Sequence, residues 1–260
     1  MLRRYRLVIG AMQIVAIALV GLATFYITLV KGSGIGEAAA GAAQTEPHES
    51  HLSINFSGYT GGSVEKWLTM RGFTFEKDAK KRKLLELSIT DESLQLIGNG
   101  HLTGFILNDS VKLSKPGRIR INWGVRRYPQ EASYEKQVNN EALMVYIFFG
   151  KEKVPSGTIL IPNSPYFIGL FLCQEEQVNF PYKGRYFHAG GRFVCLGKPP
   201  AGETVVSEFD LDRAFRNYFG KRQTPGISGI AFGVDTSKAL GDGKSVAFIK
   251  TIELFGDSKM

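Results

Sequence analysis

From residue 51 onward the chain is a succession of short apolar or alternating runs punctuated by Gly, Pro, Asn, Asp and Ser. Runs at 52–57, 83–89, 93–99, 103–108, 117–127, 142–150, 157–162, 166–172, 204–209, 226–235 and 245–255 are rich in β-branched and aromatic residues and predict strands. In RIRINWGV, Ile119, Ile121, Trp123 and Val125 fall on one face and Arg118, Arg120 and Asn122 on the other. That period of two is the mark of a half-buried strand. The last run alternates through Val246, Phe248, Ile252 and Leu254, with its register disturbed near Lys250. A helix is predicted where Asp210 can cap, Leu211, Phe215 and Phe219 share a stripe, and Gly220 stops the chain. A second short helix is expected over Ser63 to Met70. Many strands, few helices and long connections predict an antiparallel β-sandwich or jelly roll.

The N-terminus has a different pattern. After MLRRYR, residues Leu7 to Val30 form an uncharged run of 24 residues. As a helix it would extend about 36 Å, enough to cross a hydrocarbon core of about 30 Å. Secretory signal cores are shorter, about 7–15 residues, so an uncleaved transmembrane anchor is expected. Cleavage at the small residues Ala38 to Ala43 is the alternative, and a buried core helix fits poorly behind Arg3, Arg4 and Arg6. Those arginines keep the N-terminus on the cytoplasmic side. The expected organisation is therefore a cytoplasmic stub and anchor (1–30), a small, polar and aperiodic flexible linker (31–50), and an extracytoplasmic domain (51–260) that is periplasmic or extracellular.

Charge and cysteines refine this picture. Residues 51–260 carry 28 basic and 21 acidic side chains, a formal charge of +7. A basic outer domain is attracted to anionic surfaces such as headgroups or acidic polysaccharide, or is simply a soluble surface. The expected topology argues against nucleic acid as a partner, because the domain would lie outside the cytoplasm. With 210 residues, the domain needs no metal to fold. Cys173 and Cys195 are the only cysteines. An oxidising compartment permits a disulfide between them, and two buried free thiols are the alternative.

From Gly117 onward the chain resembles an uncharacterised bacterial family of exported β-sandwich proteins, known only as a domain of unknown function. The resemblance rests on INWGV at 121–125, the apolar strand ALMVYIFFG, the helix DRAFRNYFG at 212–220 and the strand close PGISGIAFGVDT at 225–236. One tryptophan stands where the family has two, and Ser237 and Lys238 follow where a further acidic residue is usual. The resemblance implies a galactose-binding-like sandwich similar to carbohydrate-binding modules.

No complete catalytic motif is present. Glu131, Glu135, Glu141, Glu175, Glu176, Asp210, Asp212, Asp235 and Asp242 are all available as carboxylates, but their spacing selects no pair for glycoside hydrolysis. Gly226-Ile-Ser228-Gly229 is one residue short of a nucleophile elbow. Asp235 and Asp242 bracket a loop that could hold a structural calcium or be an ordinary polar hairpin loop; no other cofactor is implied. The most informative segment is NFPYKGRYFHAGGRF, 179–193. It interleaves aromatic and basic residues between the two cysteines. Tyr182, Arg185, Tyr186, His188 and Arg192 are the candidate ligand-binding residues, through stacking and two-point guanidinium contacts. In the alternative, the aromatics fold inward as a small core. Arg118, Arg120, Arg126 and Arg127 could extend the basic face.

The expected function is a membrane-anchored binding or scaffold module for an envelope glycan or anionic polymer. A lyase-like enzyme using Tyr186, His188 and Arg192, and a subunit packing on an envelope protein partner, are the alternatives.

Overall fold

A computed structural model describes residues 51–256. The expected anchor and linker lie outside the described residues. Among the described residues no helix is long and apolar enough to cross a membrane. In chain order the elements are β1 (His51–Asn55), α1 (Val64–Met70), β2 (Thr74–Lys77), a 3₁₀ turn (Asp78–Lys80), β3 (Leu85–Thr90), β4 (Ser93–Asn99), β5 (Thr103–Asn108), β6 (Pro116–Arg127), β7 (Glu141–Val154), β8 (Ser164–Phe171), β9 (Pro181–Tyr182), β10 (Gly191–Cys195), β11 (Val205–Asp210), α2 (Leu211–Phe219), β12 (Ile227–Asp235) and β13 (Lys244–Gly256).

Two sheets face each other. One runs β11-β6-β13-β4-β3, with β1 also on β13; the other runs β2-β5-β12-β7-β8-β10-β9. The long strand β13 shares one edge between β4, along Lys244–Ile249, and β1, along Thr251–Phe255. Inward residues of both sheets form the main core, among them Ile119, Ile121 and Trp123 from one sheet and Val145, Ile147, Ile168, Ile230 and Phe232 from the other. The Trp123 indole N–H, buried with its ring, donates to Ser207 Oγ at 3.0 Å. The arrangement is the expected mainly β, sandwich-like fold, with one correction. Strand β10 runs parallel to β8, so the larger sheet is mixed and not wholly antiparallel. The crossover that makes this possible is the segment between the cysteines, which form a disulfide, Cys173–Cys195. Closing a loop of this size contributes about 3 kcal/mol in the chain-entropy account.

The disturbance near Lys250 is a β-bulge, seen as a register shift between Ile249 and Thr251. A single extra residue inverts the side-chain alternation. The inward set is therefore Ala247, Ile249, Ile252 and Leu254, not the Val246 and Phe248 expected from unbroken alternation. Phe248 turns outward over Gly124 and beneath the Arg126 guanidinium.

Helix α2 follows its sequence signals. Asp210 accepts the Arg213 N–H at 2.9 Å, and Gly220 ends the helix with φ +63°. Phe215 is fully buried against Phe149 and Tyr166. Replacing Asp210 by Ala removes the cap and should cost about 1 kcal/mol. For a domain of this size that is a fall in Tm of about 2–4 °C, readable by calorimetry; an unchanged Tm would mean the cap contributes nothing.

The run 157–162 is not a strand. Pro155, Gly157 and Pro162 interrupt any ladder, and Ser156 Oγ donates within a loop to the carbonyls of Thr158 and Ile161. Ile159 and Leu160 stand fully in solvent at its tip.

Candidate binding cavity

Strands β7 and β8 are apolar on both faces. Their inward residues enter the main core, so the outward ones, together with those of β5 and β10, need another environment. They line a cavity of about 530 Å³ on the outer face of the seven-stranded sheet. Phe105, Tyr146, Phe148, Phe167 and Phe193 form its walls. Tyr146 and Phe148 stack at 6.2 Å and 12°, and Phe105 and Phe167 stand edge-on to Tyr146 at 5.7 and 5.6 Å. Glycines on neighbouring strands let these rings lie down on the sheet. A Cβ at Gly233 would come within 2.7 Å of the Tyr146 ring, and one at Gly191 would collide with Phe167.

One end of the cavity is acidic. Glu141 opens β7 and Asp235 closes β12, and the two are cross-strand partners in register. The pair follows a register shift between Gly233 and Asp235, and both side chains line the cavity. Glu141 is almost wholly buried and is hydrogen-bonded to the Tyr134 hydroxyl. Asp235 accepts from the Ser237 N–H at 2.9 Å and the Ser237 hydroxyl at 2.7 Å. Burial drives the Glu141 carboxyl well above its ordinary value, and the charge of Asp235 pushes the same way. Burial also raises Asp235, against the opposing bonds from Ser237 and Thr103. Both flanking phenols, Tyr134 and Tyr146, are pushed up by burial first and by Glu141 second. The rim is basic: Lys77 Nζ lies 5.0 Å over the Phe105 ring, Arg185 lies 5.5 Å over Tyr186, and Lys238 completes the lining.

No protein-family model matches the chain, and no curated protein does. Solved structures do. A variant of the family 29 carbohydrate-binding module CBM29-2 complexed with mannohexaose is 11% identical, with TM-score 0.35, over 81% of this chain and 94% of that one. A family 29 carbohydrate-binding module is 10% identical, with TM-score 0.34, over 80% and 92%. Winged bean acidic lectin complexed with methyl-α-D-galactose is 9% identical, with TM-score 0.41, over 80% and 99%. At these identities and scores the likeness is one of general outline, and nothing about ligands passes from those proteins to this chain.

Of the five residues singled out in the sequence, only Arg185 and Tyr186 line the cavity. Tyr182 is buried against Tyr134; its hydroxyl accepts from the Gln177 N–H and donates to Glu135. His188 is bonded through its ring Nε2 to the Arg185 carbonyl and is not part of the lining. Arg192 alternates with Phe193 along β10 and so leaves the cavity face. It is buried, donates to the carbonyls of His188, Gly191 and Tyr218, and lies 5.1 Å over the Phe219 ring. Tyr186, His188 and Arg192 therefore do not converge as a lyase would require. The inward-folding alternative describes Tyr182, Phe187 and Phe193, which join a second apolar cluster with the disulfide.

Arg118, Arg120, Arg126 and Arg127 belong to β6, in the other sheet, and do not extend the cavity rim. Arg120 is paired with Glu208 at 2.7 Å, Arg127 with Asp242 at 2.8 Å, and Arg118 lies over Phe255. Asp235 and Asp242 do not act together: Asp235 faces the cavity, while Asp242 holds Arg127 and the Lys244 N–H. Between them, Thr236 is buried and bridges the Gly100 carbonyl and the Leu102 N–H. Among the described residues no group of three or more His, Cys, Asp or Glu could hold a metal ion.

Proposed function

We propose that this chain is a glycan-binding module that takes a sugar into the aromatic cavity on the outer face of the seven-stranded sheet. The observation that carries this reading is the cavity itself, with aromatic walls and hydrogen-bonding groups among its lining residues. A pyranose ring has an apolar face of C–H groups and an edge of hydroxyls. The face stacks on rings such as Tyr146 and Phe148, and the edge needs acceptors and donors, which Glu141, Asp235 and Asn139 supply. Its volume lies in the range of about 300–1,000 Å³ usual for small-ligand sites. Arg185 and Tyr186, carried on the disulfide-closed crossover, close one wall with little ordering cost.

In this reading the apolar run of residues 7–30 anchors the chain in the cytoplasmic membrane, the linker spans 31–50, and the module faces the envelope or the exterior. The family resemblance of residues 117–236 belongs to the same reading. The test is a glycan array and titration calorimetry with the full chain in mild detergent, at low and moderate salt. Binding that survives moderate salt is expected, since stacking, unlike rim charge, is not screened. A blank array would sink the proposal, and binding abolished by salt would reduce it to charge attraction at the rim.

A further inference from the structure

We infer that the acidic end of the cavity is a subsite for an ammonium group, so that the ligand is an amino sugar carrying a free amine. The inference rests on the glycan reading and names the sugar class. Its first support is the pairing of two carboxyls in one partly enclosed space. Glu141 and Asp235 are register partners on adjacent strands, and among the described residues neither has a Lys or Arg within ion-pair distance. Other acids in the domain have one: Asp78 has Lys81, Asp212 has Arg216 and Asp242 has Arg127. Two neighbouring carboxylates in a poorly solvated site resist being ionised together without a counter-charge. Either a proton or a bound ammonium can supply that counter-charge.

The second support is independent of the acids. The remaining walls are ring faces and edges, with Tyr134 and Tyr146 next to the pair. Aromatic faces carry negative quadrupole potential and attract cations, most strongly in a desolvated box. A box of rings closed by two carboxyls therefore suits a cation at its floor. The three cationic side chains of the lining stand apart from that floor in their contacts. Lys77 lies over the outer ring Phe105, Arg185 over Tyr186, and Lys238 is exposed. Lys77 acts on Asp235 only as the weakest of its perturbers. A neutral sugar would use the stacking walls and leave the carboxyl pair needing its proton. An amino sugar satisfies both.

The experiment uses the full chain in mild detergent and three kinds of probe, at a pH where the free amine is protonated. These are tetramers of glucosamine and of galactosamine, the same tetramers N-acetylated, and tetramethylammonium. The expected result is that a free-amine tetramer binds at least about tenfold more tightly than its acetylated twin, as for a hydrogen bond to a charged group. That advantage should disappear in Glu141→Gln and in Asp235→Asn, where the free-amine tetramer should bind no more tightly than its acetylated twin; a variant that keeps the tenfold preference would overturn the inference. Thermal melting confirms that each variant is folded, and either one alone suffices. Acetylated tetramers binding as well as or better than the free-amine forms would overturn the inference and leave the glycan reading intact. Tetramethylammonium binding without any tetramer would keep the cation subsite and overturn the sugar. Failure of every probe would overturn both.

Discussion

Replacing Tyr146 and Phe148 together by alanine should weaken glycan binding by about a hundredfold while the domain stays folded. Each ring can offer a face to a sugar, and aromatic contacts of this kind are worth about 0.5–1.5 kcal/mol beyond area burial, so two of them supply about 1–3 kcal/mol and the lost area burial adds to it, which carries the total to about a hundredfold. The fold should tolerate the change because neither ring belongs to the main core; both pack from outside against the second cluster. The control is Phe232→Ala. Phe232 is fully buried between the sheets against Phe56 and Phe73, and its truncation should cost about 3–5 kcal/mol. Titration of the double variant alongside a thermal melt separates the two effects. If binding persists within a factor of about three, well inside one stacking contact, the cavity is not where the sugar sits.

The same residues show how far the sequence could be read. Period-two alternation in β6 was legible because one face of that strand is polar, so Ile119, Ile121, Trp123 and Val125 could be placed inward from the pattern alone. Caps and stops located α2 to the residue because Asp210 and Gly220 act locally. What was not legible depended on distant partners. Strand β10 contains two residues with poor strand signals, Gly191 and Arg192, and is held in the sheet by β8; without that partner it reads as loop. Arg192 looks like a ligand residue from its neighbours in sequence. Only its alternation with Phe193 shows that it turns away from the cavity to carbonyls near α2. The Glu141–Asp235 pair spans 94 positions and exists because β7 and β12 are neighbours, which no spacing rule could supply. One signal did point to the cavity. The runs 142–150 and 166–172 are too apolar for strands with a wet outer face, and the excess of aromatics there lines the cavity wall.

That face also sets an expectation about stability. Glu141→Gln should raise the stability of the protein at neutral pH, by about 1–2 kcal/mol, or a Tm increase of about 2–8 °C. Burial, together with the neighbouring charge of Asp235, raises the folded-state proton affinity of Glu141 well above that of the unfolded chain. Between the unfolded pKa of about 4 and the higher folded one, the folded protein holds a proton that the unfolded chain has released. Stability therefore falls as pH rises through that window, the reverse of a carboxylate held by a cation. Glutamine has nearly the same shape, can still accept from the Tyr134 hydroxyl, and has no charge to desolvate. Its advantage should shrink as pH falls and vanish below about pH 4, where Glu141 is protonated in both states. Glu176, whose carboxylate accepts the Tyr134 N–H, adds a smaller push in the same direction, so Glu176→Gln should show the same sign with a lesser gain. Melting curves of the three proteins from pH 4 to 8 test this; a Glu141→Gln variant less stable than the parent at neutral pH would mean that the carboxylate is held ionised by a partner in the folded state. If the neutral isostere does fold better, an acid pair kept at one end of an aromatic cavity at the expense of stability fits a site selected for its ligand.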